Sequence, residues 1–254
     1  MHFTKLLKVV APVAALAIAG GLSGCGNQTF SFNGKEGVPL AELDLSGAAP
    51  SEVTLLGPDA VDIRSGERLA IELQGSEEAK ARMRFVLEDG SLGILRANEG
   101  QSAGGIATVI VTMPAPSKLT MAGSGRLTSA AVTDSPEINV VGSGTIELPN
   151  VAAGTMDVNI AGSGTLRAAG TADTLDLNVM GSGSADLAAL KVARADINVA
   201  GSGDAVFASD GEVQANIMGS GDITVRGSAR CQVKTMGSGT LTCERAPEER
   251  DEAA

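Results

Sequence analysis

The triplet Gly-Ser-Gly occurs seven times in the second half of this 254-residue chain, beginning at Gly123, Gly142, Gly162, Gly181, Gly201, Gly219 and Gly237. Successive triplets lie 19, 20, 19, 20, 18 and 18 residues apart. A period near 20 marks one supersecondary unit repeated in a stack, each copy burying its apolar side against the next. Four residues before each triplet stand Leu119, Ile138, Val158, Leu177, Ile197, Ala215 and Val233. Two before it stand Met121, Val140, Ile160, Val179, Val199, Ile217 and Thr235. Four after the first glycine stand Leu127, Ile146, Leu166, Ala185, Ala205, Ile223 and Leu241. A strand therefore enters each triplet and another leaves it, with apolar residues at every second position. The triplet is a corner, where two glycines around a serine permit a sharp bend.

Repeated hairpins would show two different turns per unit, whereas here one corner recurs at one offset. That favours parallel stacking, which sets like on like. The expected fold is all-β, a parallel β-helix whose seven coils span roughly 30 Å at about 4.8 Å per coil. Its interior is narrow and aliphatic, consistent with a chain that has no Trp, no Tyr and five Phe. Cys231 and Cys243 lie six residues before and six after Gly237, at inward positions of the last coil. They are either a disulfide or two buried thiols. A bond would close a loop of about 13 residues and contribute about 3 kcal/mol in the chain-entropy picture.

The N-terminus reads as a processing signal, residues 1–24. Lys5 and Lys8 precede an apolar run from Val9 to Ala19, broken only by Pro12 and short for a membrane span. Leu22-Ser23-Gly24-Cys25 resembles the bacterial lipobox. The resemblance implies cleavage before Cys25, acylation of that residue, and anchoring in a membrane through several acyl chains. Gly26 rather than Asp follows the cysteine, which favours the outer membrane, facing the periplasm or the surface. Residues 25–45 are expected to be a lipidated tether, 46–115 a less regular β segment, 116–245 the repeats, and 246–254 a charged tail. The β segment shows period-two alternation between turn signals, such as Leu69, Ile71 and Leu73, with one or two helical turns allowed from Glu77 to Arg84. After cleavage the balance is 17 basic against 30 acidic residues, or −13. A nucleic-acid partner is excluded, because phosphate binding needs a basic face.

Catalysis finds few candidates. The sole histidine, His2, falls in the processed segment, so neither a Ser-His-Asp triad nor a His-ligated metal is available. The glycine triplets do not extend to a dinucleotide or phosphate-loop motif. Two polar columns stand out. Three residues before the triplets lie Thr120, Asn139, Asn159, Asn178, Asn198, Asn216 and Lys234, and the asparagines can form a ladder of stacked side-chain amides. Two residues further back lie Glu137, Asp157, Asp176 and Asp196. Carboxylates stacked at coil spacing repel, so their pKa values should rise or a cation such as Ca²⁺ should sit among them. Asp204 and Asp222, directly after two triplets, form a weaker pair.

The lipobox, the segment Glu52-Val53-Thr54-Leu55 with Leu69-Ala70-Ile71, the approach Thr108-Val109-Ile110-Val111-Thr112-Met113-Pro114, and the repeated corners together resemble the head GIN domain family. The resemblance covers about Leu45 to Cys243. It implies a right-handed parallel β-helix exported to the cell envelope, and it carries no catalytic residues. The expected function is non-catalytic: a lipid-anchored protein for adhesion or scaffolding. Its partners would be a surface polysaccharide, another envelope protein or its own copies. The alternatives are a carbohydrate-active enzyme using the carboxylate column and a purely structural spacer.

Overall fold

The computed structural model describes residues 31–97 and 105–244. The signal segment, Cys25 and the charged tail lie outside them. The strands are β1 (Glu52–Gly57), β2 (Ala60–Ser65), β3 (Ala70–Gln74), β4 (Met83–Glu88), β5 (Ser91–Arg96), β6 (Thr108–Met113), β7 (Lys118–Gly123), β8 (Arg126–Ser129) and β9 (Glu137–Gly142). They continue with β10 (Thr145–Gly162), β11 (Thr165–Gly181), β12 (Ser184–Gly201), β13 (Asp204–Gly219), β14 (Asp222–Arg226), β15 (Arg230–Gly237) and β16 (Thr240–Glu244). A single α-helix among the described residues, α1 (Glu77–Ala81), is capped by Ser76, whose hydroxyl accepts from the Ala79 N–H at 3.2 Å.

From β7 onward every inter-coil pairing is parallel, and each corner glycine aligns with its counterpart in the next coil. The fold is a parallel β-solenoid. Its core is the aliphatic columns read from the sequence, such as Leu119, Ile138, Val158, Leu177 and Ile197, all at 0% exposure. At about 25 cal/mol per Å² of apolar area removed from water, these stacked columns are the main stabilising term.

The two glycines of each corner do different jobs. Only the first has a left-handed backbone, with φ between 104° and 133° across the seven corners. A Cβ there would also meet the carbonyl oxygen of the preceding coil's corner glycine at 2.1–2.7 Å. The last glycine has an ordinary φ and, in the inner coils, is buried. From Gly144 onward its missing Cβ leaves room for a core side chain of the preceding coil, such as Val140 under Gly164 and Ile160 under Gly183. The bend therefore needs one glycine, and close packing of coils needs the other.

The segment expected to be irregular holds two more coils, visited out of order. β1 and β2 pair in parallel with β7 and β8, and Gly57-Pro58-Asp59 stands where the array has Gly-Ser-Gly. On the opposite side of this coil, β5 pairs with β1 and β6 with β2. The chain thus lays one coil, leaves it, builds the outermost coil, and returns through Pro114-Ala115-Pro116 to begin the array. β4 and β3 pair antiparallel with β5 and β6 and close that pole. Asp59 is 1% exposed and receives Arg96, the Ala107 N–H at 2.8 Å, and through Arg96 a link to the Gly105 carbonyl. It ties the end of β5 to the residues that lead into β6.

The expected tether is also partly structural. Phe32 packs on the outer surface of the sheet over Gly93, with Leu56, Val86 and Leu95. Leu40, Leu43 and Leu45 pack against the main core, and Val38 bridges to Phe85. Those apolar side chains gain more from burial than a solvated linker would.

Candidate binding face

β7, β9, the later halves of β10 to β13, and β15 form one parallel sheet whose outward side chains fall into three columns. Alternation along each strand sends the aliphatic columns inward and leaves the polar residues outside. Parallel in-register pairing then aligns Glu137, Asp157, Asp176 and Asp196 in one file, and Asn139, Asn159, Asn178, Asn198 and Asn216 in the next.

The asparagines form a continuous one-way ladder. Each Nδ2 donates to the Oδ1 of the preceding coil's asparagine, at 3.2 Å for Asn159, Asn178 and Asn198 and 3.0 Å for Asn216. Asn139 begins it by donating to Glu137 Oε1 at 2.9 Å. A primary amide has a donor and an acceptor on one short stem, so coil spacing satisfies both at once.

The carboxylate file is different. Lys118 Nζ meets Glu137 Oε1 at 3.1 Å at one end, and no other ion pair involves the file among the described residues. The pKa of Asp157 is raised, first by partial burial and then by Glu137. That of Asp176 is raised by partial burial and then by Asp157 and Asp196 on either side. Among the described residues no three His, Cys, Asp or Glu side chains converge to hold a metal ion. The four acids run in single file, so the Ca²⁺ expectation gains no geometric support. Asp204 and Asp222 each accept a backbone N–H from the next coil, at 3.0 and 3.1 Å, which makes them coil-to-coil ties.

The third column, directly before the corners, is one that the sequence reading does not single out. It consists of Ala122, Val141, Ala161, Met180, Ala200, Met218 and Met236, with Met180 50% and Met218 47% exposed. Its repeated apolar character at an outward position is the signal that could have found it. Near the closed pole this column meets the Phe32 cluster through Ala122.

On the other side of the corner the charges alternate. Arg126 NH1 and Arg167 NH1 reach Glu147 Oε1 at 3.0 and 3.3 Å, and Arg167 Nε approaches Asp186 at 3.7 Å. A shallow hollow of about 370 Å³ lies beside them, lined by Leu148, Pro149 and Ala168 among others. Cys231 and Cys243 are joined by a disulfide, with Cα atoms 6.7 Å apart. Cys231 is half-buried and Cys243 exposed, rather than both interior, because no described coil stacks beyond the last one.

Fold and face together define a β-solenoid with a ladder-lined outer surface. The chain belongs to the family described as putative auto-transporter adhesin, head GIN domain, whose profile matches residues 49–229. Among solved structures, it is similar to a putative adhesin from Bacteroides fragilis (TM-score 0.70, 17% identity, covering 77% of this chain and 93% of that one). A putative lipid binding protein from Parabacteroides distasonis aligns with TM-score 0.63 and 22% identity over 78% of this chain and 94% of that one. A putative adhesin from Parabacteroides merdae gives 0.60 and 17% over 78% and 92%. At these identities the structures speak for the fold alone. Comparison with curated proteins gives no match.

Proposed function

We propose that this chain is a lipid-anchored protein of the bacterial cell envelope that binds a surface polysaccharide without catalysis, using the face that carries the asparagine ladder. The family description supports a non-catalytic binding role in the envelope. The observation that carries the choice of face is the contrast between its two charge patterns. Across the corner, acids and bases alternate and neutralise one another. On the ladder face, four carboxylates stand in file with a single basic partner at one end. Such a file costs stability, and costs of this kind are retained at functional surfaces. Carboxylates and amides repeating at about 4.8 Å offer acceptors to the hydroxyl or amino groups of an extended polymer.

The anchor in this reading is Cys25. Phe32, already packed on the closed pole, lies seven residues after it, a reach of at most about 25 Å. An anchor there holds the closed pole near the bilayer while the array projects away.

The test is titration of purified envelope polysaccharide onto the wild type and the Asp157→Asn/Asp176→Asn variant. Binding weakened at least tenfold in a variant of equal or higher melting temperature is expected; equal binding removes the face from consideration. Labelled palmitate should be incorporated by the wild type and lost on Cys25→Ala, and labelling that survives the substitution refutes the anchor.

A further inference from the structure

The two poles of the solenoid are finished differently. At one pole β3 and β4 lie antiparallel against the outermost coil; β4 is bridged by Val38, and the five-residue β3 pairs with β6 alone among the described residues. At the other, β15 pairs only with β13 and β16 only with β14, so each leaves one edge unpaired among the described residues. Positions buried in every inner coil lie open here. Val233 is 46% exposed, whereas its counterparts Ile197 and Ala215 are 0% and 2% exposed.

An unpaired edge is a template for another strand unless it is short, bulged, interrupted by proline or faced with charge that the incoming strand does not match. β15 is eight residues long, has no proline, and pairs with β13 without a register shift. The Cys231–Cys243 bond ties the two strands of this coil together at the open end, so the template is held in shape although nothing described stacks upon it. The surface offered is the one by which each inner coil receives its neighbour.

We propose that two copies of this chain associate open pole to open pole as a closed, two-fold dimer. β15 runs into the Gly237 corner and β16 runs out of it. A two-fold axis passing through that corner, perpendicular to the solenoid, lays the second copy's β16 antiparallel on β15, and β15 of that copy on β16. The edges differ in charge: β15 carries Lys234 and also Arg230, which pairs with Glu212 of the preceding coil at 3.3 Å, and β16 ends in Glu244. Crossing the pair sets basic strand against acidic strand, whereas β15 on β15 would oppose like charges. Head-to-tail growth is disfavoured, because the strands at the other pole run antiparallel to the coil they cover, β4 is bridged by Val38, and β3 is only five residues long. The association therefore ends at two.

The experiment uses the unlipidated chain from residue 26, which contains every described residue. Its mass is measured by sedimentation from about 1 to 100 μM, a range spanning typical weak-to-moderate association. A concentration-dependent doubling is expected. Val233→Lys/Thr235→Lys changes two side chains already exposed in the single copy, so its melting temperature at low concentration should hold. Its association should weaken at least tenfold, since the dimer would bury both charges. Ser238→Cys, at the corner on the axis, should give a covalent dimer bonded between the two introduced thiols, while Ser163→Cys at a mid-array corner should give none. A chain monomeric at 100 μM overturns the proposal. So does mass that grows without limit, a dimer unaffected by the lysines, or one cross-linked through Ser163→Cys. Dimerisation that appears only after removal of residues 246–254 also overturns it, by making the tail the occupant of the edge.

Discussion

Replacing each residue of one corner by alanine separates three physical costs that the sequence motif merges. At Gly181 the backbone has φ 113°, and a Cβ would stand 2.6 Å from the Gly162 carbonyl oxygen. That oxygen also accepts the Ser182 N–H at 2.8 Å, so moving it loosens the tie between coils. A non-glycine residue in such a conformation costs about 1–3 kcal/mol, and overpacking adds about 1–3 kcal/mol. Gly181→Ala should therefore destabilise by about 2–6 kcal/mol. At Gly183 the backbone is ordinary, and the new Cβ meets Ile160 Cγ2 at 2.4 Å and the Gly164 carbonyl at 2.9 Å. Only overpacking applies, about 1–3 kcal/mol. Ser182 is exposed, and Ser182→Ala should stay within about 0.5 kcal/mol. Urea unfolding of the three variants, compared at constant slope, measures the series. The reasoning fails if Gly181→Ala costs less than about 1 kcal/mol, or if Ser182→Ala costs as much as either glycine.

The packing and the charges set three further outcomes. Asp157 and Asp176 have folded pKa values above the ordinary 3.8, so in the window just above pH 3.8 the folded state holds more protons than the unfolded one. Their contribution to stability is then unfavourable at neutral pH and is relieved as pH falls through that window; Asp157→Asn/Asp176→Asn should melt higher than wild type at pH 7, with the gap closing near pH 3.5–4. Arg96→Met leaves the Asp59 carboxylate buried with the Ala107 N–H, and should cost about 3–5 kcal/mol in urea unfolding. A cost under about 1 kcal/mol would mean the pair does not hold the pole. Reduction of the Cys231–Cys243 bond should remove up to about 3 kcal/mol from the last coil alone. Hydrogen exchange should quicken in β15 and β16 while β11 and β12 keep their protection.

Much of the fold is legible in the sequence because parallel stacking converts spatial neighbours into a sequence period. Leu119, Ile138 and Val158 share a column in space and an offset in sequence, and the asparagine ladder is readable for the same reason. The first two coils are not, because their corners lack the motif. One is Gly57-Pro58-Asp59, and the other falls between β5 and β6, where the sequence has no Gly-Ser-Gly. Their order in the stack departs from their order in the chain, which local alternation does not encode. The last glycine of each corner reads as a second hinge, although its role lies in what the preceding coil places beneath it. The column of Ala122, Val141 and Met180 escapes a search that looks for apolar residues on the inward side only. The exposure of Cys243 comes from its place at the end of the described stack, which an offset from a triplet does not report.

From the Gly142 corner to the Gly219 corner, every repeat has the same corner above and below. A duplicated or deleted repeat of 18–20 residues would join its neighbours in register without altering either terminus. The distance between the two poles is thus quantised, changing by about 4.8 Å for each coil. Such a protein can be lengthened or shortened like a ruler cut at its marks, keeping both ends unchanged.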